Sequence, residues 1–316
     1  MEVENLRKYF PIYGGVLLRQ VAAVHAVDGV NFDVKRRETL GVVGESGCGK
    51  TTLARTILRV IEPTAGTVRY MGHDIYKARE KELRKLRLEM AMMFQDPYAC
   101  LNPRMTIADI VGEPIDIHGL AKGKEKEKRI MELLEKVGLA PYHLYRFPHE
   151  FSGGQKQRIG IARTLAGNPK LVLADEPVSS LDVSVRAQIL NLLRNLQQEL
   201  GLTYLYISHD LSTVKYVSDR VAVMYVGKIV ELAPVKDIYD NPLHPYTEAL
   251  MSAIPIPGRR REDRIILKGN VPTPIDPPRG CRFNPRCQYS EPKCTKEDPE
   301  LIETKKEHFV ACHLRK

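Results

Sequence analysis

The sequence predicts an α/β domain built around a mainly parallel sheet, with a helical subdomain inserted into it and a small Cys-rich extension at the C-terminal end. Three observations predict this. Short apolar strands alternate with amphipathic helices across residues 31–232, the pattern that folds as strand, crossover and strand. Residues 97–165 carry mostly helical periodicity. After Leu250 periodicity gives way to a stretch punctuated by Pro255, Pro257, Pro272, Pro274, Pro277, Pro278 and Pro285, which holds four of the six cysteines.

The first strand spans 39–43 and runs into a glycine-rich turn. Residues 50–60 follow as a helix, with Leu53, Ile57 and Val60 at helical spacing. Pro63 and Gly66 close that unit before a strand at 67–70. In the helical block, Ile130, Leu133, Leu134 and Val137 form one apolar stripe, stopped by Gly138 at a C-cap position. A buried strand is predicted at 171–174. The helix at 185–200 carries Ile189, Leu192, Leu193, Leu196 and Leu200 on one face and ends at Gly201. A β-rich strand at 202–207, a helix at 211–217 and strands near 221–225 and 228–232 complete the domain. The expected organisation is a main α/β domain at 1–255, its helical subdomain at about 97–165, and an extension at 256–316.

The chain has 316 residues, of which 43% are hydrophobic and 28% charged, an ordinary balance for a folded core. Its formal charge of +9 comes from 48 basic residues interspersed with 39 acidic ones. Such mixing reads first as a solvated surface, with attraction to an anionic membrane face as a second reading. Nucleic acid is not an expected partner, because Trp is absent and no basic run is interleaved with aromatics. Glu2, Glu4, Arg7 and Lys8 are unlike the apolar core of a secretion signal. No apolar run approaches the ~18 residues that would suggest a membrane span. The expected location is therefore the cytoplasm, with any membrane crossing left to other subunits.

Gly44-Glu45-Ser46-Gly47-Cys48-Gly49-Lys50-Thr51 matches the phosphate-loop pattern G-x-x-x-x-G-K-[ST]. Glycines let backbone N–H groups converge on phosphate oxygens, and the next helix presents its positive end to them. Lys50 brings a point charge to the β- and γ-phosphates, and the Thr51 hydroxyl can ligate Mg²⁺, with Thr52 beside it. Strand before and helix after supply the context the motif needs. A second element ends the strand at 171–174 with Asp175 and Glu176. Asp175 can hold Mg²⁺ through water, and Glu176 can orient or deprotonate an attacking water. Without the phosphate loop, two acids there would read as a capped strand end.

Ser152-Gly153-Gly154-Gln155 resembles the signature motif of ABC ATPases. Ser152 can cap the helix that follows, and a helix N-terminus with two glycines is again an anion site. The resemblance extends in order along about the first 250 residues: Tyr9 is similar to the aromatic that stacks on adenine, with His25 as another residue near the base. Gln95 is similar to the Q-loop residue that senses Mg²⁺ and links to membrane subunits, Ser180-Leu181-Asp182 to the D-loop, and His209 to the switch histidine at the γ-phosphate. The wording of 95–104, 176–184 and 241–247 resembles the oligopeptide/dipeptide/nickel import branch. Val178 stands where Thr is common and Cys100 where Ser is common.

The resemblance implies an ATPase with ATP and Mg²⁺, in which Lys50, Glu176 and His209 are catalytic and each ATP is covered by the signature of a second ATPase, commonly a paralogue. It implies two transmembrane permease subunits, an extracellular solute-binding protein, a peripheral place on the cytoplasmic membrane face, and a cargo of peptides or a related solute such as oligosaccharides. A soluble ABC ATPase acting on nucleic acid or ribosomes is the alternative; such proteins usually carry two nucleotide domains or a long coiled coil, and neither is present.

Cys281, Cys287, Cys294 and Cys312 allow several readings by spacing. Disulfides are disfavoured in a reducing cytoplasm. Zinc usually takes closely spaced Cys pairs, and iron–sulfur clusters accept wider spacing. Unligated thiols are the residual reading. The family resemblance implies a [4Fe–4S] cluster on this extension, with zinc as the alternative.

Overall fold

The structure, a computed structural model, describes residues 1–16, 18–94, 101–254 and 264–315. The chain divides into two units, one made of Met1–Val34, Thr39–Lys77 and Ser208–Lys316, the other of Lys35–Glu38 and Ala78–Ile207.

The first unit begins with a long hairpin, β1 (Glu2–Gly14) and β2 (Arg19–Asp33), and continues through β3 (Thr39–Val43), α1 (Lys50–Ile57), β4 (Ala65–Tyr70) and β5 (His73–Asp74). The second unit holds α2 (Glu80–Glu89), β6 (Met90–Met93), α3 (Ile107–His118), α4 (Gly123–Lys136), α5 (Gly153–Leu165), β7 (Leu171–Asp175), α6 (Val183–Leu200) and β8 (Thr203–Ile207). The chain then returns to the first unit with α7 (Leu211–Val217), β9 (Arg220–Tyr225), β10 (Lys228–Pro234), α8 (Val235–Asp240), α9 (Pro245–Ser252), β11 (Ile302–Lys305) and β12 (His308–Val310).

The parallel pairs that strand–helix alternation predicts are present. In the second unit β6 pairs in parallel with β7, and β7 with β8, from Leu171↔Thr203 to Asp175↔Ile207. Every residue of β7 is buried, as expected of a strand covered on both faces. In the first unit β3 runs parallel to β9, and both strands are wholly buried. Antiparallel pairing is added at the side of β9, through β10, β12 and β11 in that order. A separate antiparallel sheet is ordered β2-β1-β4-β5.

On α6 Ile189, Leu193 and Leu196 of the expected face are buried, together with Leu190, which the periodicity did not single out, whereas Leu192 is half-buried and Leu200 exposed. On α4 Ile130, Leu133 and Leu134 are buried, and Gly138 just beyond the helix takes φ 74°, a conformation that favours glycine. Thr106 and Asp109 form a capping box on α3, whose Glu113 pairs with Arg163 of α5 at 2.6 Å.

The long hairpin is not evident in the sequence. Its register shifts at four places along the β1–β2 pairing. Each irregularity breaks the two-residue alternation by which a half-buried strand is recognised. The β11–β12 hairpin within the Pro-rich tail is also unforeseen, its strands being 4 and 3 residues long. The proposed boundary at 255/256 lies outside the described residues.

Candidate nucleotide site and the C-terminal segment beside it

The phosphate loop joins β3 to α1. Lys50 is 5% exposed, and its ammonium donates to the carbonyl oxygens of Gly44 (2.8 Å) and Glu45 (3.1 Å), with the Cys48 sulfur at 3.7 Å. No carboxylate pairs with it among the described residues. A buried cation without an acidic partner is costly, and an incoming phosphate would satisfy it. Gly49 stands at the N-cap of α1 with φ 109° and no side chain to cap the first turn. A Cβ there would lie 2.0 Å from the Ala26 carbonyl oxygen, and one on Gly44 would lie 2.1 Å from that of Met224. Ser46 and Gly47 are exposed, and Thr51 and Thr52 half-buried. Burial pushes the Cys48 thiol up, only partly opposed by Lys50. These observations fit the loop to a phosphate chain.

Glu45 is held three ways. Its N–H donates to the Tyr246 hydroxyl (3.0 Å), its carbonyl accepts from Lys50, and its carboxylate pairs with Arg286 (2.9 Å).

Ser208 donates its N–H to the Val42 carbonyl (3.1 Å), next to the end of β3, and His209 beside it is exposed. Asp210 accepts from Ser212 N (2.9 Å) and caps α7.

Tyr9 stacks on His25 with ring centroids 4.2 Å apart and planes 22° from parallel. Its hydroxyl donates to Asp28, which also pairs with Arg282. Burial, reinforced by Asp28, pushes the Tyr9 hydroxyl up to about 12. The sequence pattern singled out Tyr9 and His25 but neither Asp28 nor Arg282, whose side chain is 5% exposed.

In the second unit, Asp175 ends β7 and is buried, while Glu176 follows at φ 48° with its N–H donating to Ile207 O (2.9 Å). A glutamate in the left-handed region carries backbone strain of roughly 1–3 kcal/mol. Such strain persists where the surroundings fix the chain, as here against β8. At the start of α5, Ser152 Oγ accepts from Gln155 N (3.4 Å) and Gln155 Oε1 accepts from Ser152 N (3.0 Å). This box satisfies amides at the helix start with the motif's own side chains. Gly154 packs where a Cβ would lie 2.5 Å from Val185 Cγ1, while Gly153 is the first helical residue. Gln95 and Cys100 lie outside the described residues.

The structure corrects the metal expectation for the tail. Cys281, Cys287, Cys294 and Cys312 do line one small cavity, with His244 and Phe283, and Cys281 N donates to Cys294 O (2.8 Å). Yet among the described residues no group of three or more His, Cys, Asp or Glu is arranged to hold a metal ion, and the four are free cysteines. Burial pushes the Cys281 thiol up to about 12 and raises Cys287 and Cys312 as well. Metal binding requires the thiolate, and this surrounding favours the neutral thiol. The [4Fe–4S] cluster, and zinc in its place, are overturned as assignments for this segment.

Comparison with known proteins now adds to this geometry. Residues 27–179 match the ABC transporter family, and residues 230–294 match the oligopeptide/dipeptide transporter C-terminal region. The oligopeptide transport ATP-binding protein AppF of Bacillus subtilis is 52% identical, across 99% of this chain and 97% of the relative. The chain belongs to the ABC transporter ATP-binding proteins. A putative peptide import ATP-binding protein of Brucella ovis is 50% identical to this ABC ATPase over 92% of each chain. Among solved structures, the dimeric post-hydrolysis state of the ATP-binding cassette MJ0796 with ADP and Pi superposes with a TM-score of 0.65 at 29% identity, covering 74% of this chain and 98% of that one. CbiO1 of Clostridium perfringens, part of the transporter complex cbiONQ, gives 0.64 at 28% identity, with 76% and 90% covered. The P-loop NTPase fold of ABC ATPases is thereby established for this chain, and with it the hydrolysis of ATP coupled to transport.

Proposed function

We propose that this ABC ATPase powers the import of peptides. The observation that carries its nucleotide chemistry is the buried Lys50 ammonium, held by two backbone carbonyls and lacking an acidic partner among the described residues. Peptide cargo is supported by the relatives' names and by the match at 230–294. Nothing in the comparisons supports oligosaccharide cargo or the alternative of an ATPase acting on nucleic acid or ribosomes.

In this reading Gly44, Glu45, Ser46, Gly47, Cys48, Gly49, Lys50, Thr51 and Thr52 hold the phosphates of ATP, and Tyr9 faces the base. Thr51, Gln95 and Asp175 would hold Mg²⁺, which neutralises charge on the β- and γ-phosphates. Lys50 adds a fixed positive charge there. Glu176 orients and deprotonates the attacking water, and His209 contacts the γ-phosphate. Ser152, Gly153, Gly154 and Gln155 would cover the nucleotide held by a second ATPase, most simply a paralogue. The remaining partners in this reading are two transmembrane permease subunits and an extracellular solute-binding protein. No helix among the described residues is long and apolar enough to cross a membrane, which supports a peripheral place on the cytoplasmic face beside those subunits.

Purifying the tagged chain from its own membranes in mild detergent tests the assembly. Two transmembrane chains and a second ATPase are expected to accompany it, and transport of labelled peptides by the complex should require ATP. Recovery with ribosomes or DNA instead would sink the proposal. For the chemistry, Glu176→Gln is expected to bind ATP while turnover nearly vanishes; hydrolysis at the parental rate would remove Glu176 from its role.

A further inference from the structure

The C-terminal segment reaches the phosphate loop through the Arg286 side chain. Arg286 lies 241 positions from Glu45, yet its Nη1 donates to Glu45 Oε2 at 2.9 Å and its Nη2 to Oε1 at 3.4 Å, a two-pronged pairing. Nη1 also lies 3.4 Å from the Tyr225 hydroxyl. The Arg286 side chain is 8% exposed and that of Glu45 28%. The Nε of Arg286 is buried without a hydrogen-bond partner, so the guanidinium is satisfied chiefly by Glu45.

Glu45 is poorly suited to its position by charge alone. It is the second residue of a loop that receives a polyanion, and a carboxylate there repels phosphate unless it is neutralised. The same residue sets Lys50, because its carbonyl accepts from the lysine ammonium at 3.1 Å. Its N–H is meanwhile turned to the Tyr246 hydroxyl at 3.0 Å. Bidentate guanidinium–carboxylate pairing is directional as well as strong, so it fixes the Glu45 side chain and cancels its charge together.

We propose that Arg286 is a positioning residue of the nucleotide site: by neutralising and orienting Glu45 it holds the phosphate loop and Lys50 ready for the phosphates of ATP. The C-terminal segment is then part of the ATP site. A bland alternative is that the pair only fastens the segment to the domain. The two differ in what Glu45 does once Arg286 is gone. In the positioning role an uncompensated carboxylate is what harms ATP binding, so removing that carboxylate as well repairs it. In the fastening role it repairs nothing.

The inference rests on Gly44–Thr51 being the ATP phosphate site. The test is a double-mutant cycle on the full chain, read by equilibrium binding of a fluorescent ATP analogue and by ATPase kinetics of the assembled complex. Arg286→Ala is expected to weaken nucleotide binding about tenfold and to raise KM far more than it lowers kcat. Glu45→Gln removes the carboxylate that Arg286 pairs with, and the double variant should bind nucleotide several-fold more tightly than Arg286→Ala alone. Arg286→Gln, which keeps a planar polar group of similar reach, serves the same cycle if the alanine variant does not fold. An unchanged affinity in the Arg286 variant, or a double variant as weak as Arg286→Ala, would overturn the proposal. A parental protein that binds no ATP would instead overturn the functional reading beneath it.

Discussion

At the N-terminus of α1 the capping position is Gly49, which offers no side chain to the first turn, and Lys50 is held by carbonyl oxygens while the nearby Glu45 carboxylate is paired with Arg286. At the N-terminus of α5 the capping position is Ser152, and Ser152 and Gln155 satisfy each other's backbone N–H groups. Both helix ends carry the partial positive charge of aligned peptides. Only the first is built around a charge that an external anion must complete. The second is self-sufficient, so it folds without ligand and presents an ordered surface to one. This contrast matches a loop that captures ATP and a signature that covers ATP already held elsewhere.

The contrast breaks most directly at Lys50. Lys50→Ala removes the fixed charge from the loop and is expected to lower ATP hydrolysis by at least ~10²-fold, a loss typical of removing one preorganised electrostatic contact. The carbonyls of Gly44 and Glu45 also lose their shared donor, at a stability cost of roughly 1–3 kcal/mol. Steady-state ATPase rates of the assembled complex together with a thermal melt separate the two effects. A variant retaining parental hydrolysis would deny the α1 end its role.

The two glycines of this loop sharpen the comparison at the next scale. Gly49→Ala places a Cβ 2.0 Å from the Ala26 carbonyl oxygen at φ 109°, whereas Gly47 at φ 79° has nothing within 4 Å of that position. Both substitutions pay for a left-handed backbone, by roughly 1–2 kcal/mol. Only Gly49→Ala must also push backbone aside. It is expected to weaken nucleotide binding more than tenfold, with Gly47→Ala well short of that. Calorimetric titration of the two variants with ATP checks the order, and equal losses would show that backbone crowding does not shape the loop.

The same contrast explains what was legible beforehand. The α1 end is a contiguous motif whose chemistry lies in backbone conformation, and glycine spacing reports backbone conformation directly. The cap on α5 is local too, so Ser152 could be read in its place, as could Gly138 and, of the buried face of α6, Ile189, Leu193 and Leu196. The long β1–β2 hairpin could not, because its register shifts erase alternation. Nor could the pairs Glu45–Arg286 and Asp28–Arg282, which join residues 241 and 254 positions apart with nothing in their spacing to couple them. The cysteines misled for a related reason. Spacing allows four cysteines to line one cavity, and they do, but it says nothing of their lacking a metal-holding arrangement among the described residues or of the burial that raises the Cys281, Cys287 and Cys312 thiols.

Ser152→Ala should have the smallest effect on stability. It deletes the acceptor for Gln155 N and leaves the reciprocal bond from Ser152 N to Gln155 Oε1 in place. Loss of such a cap costs about 0.5–2 kcal/mol, and the 3.4 Å length of the deleted bond places this one toward the lower end. A melt of the full chain should show a decrease of a few degrees. Binding of ATP by the isolated chain should not change, since in the proposed reading the α5 end takes no part in capturing the chain's own nucleotide. In the proposed reading the α5 end covers ATP on a neighbour, so hydrolysis by the assembled complex should fall. If Ser152→Ala instead weakened ATP binding by the isolated chain, the division of labour between the two helix ends would be wrong, and the signature would have to act on its own subunit's nucleotide.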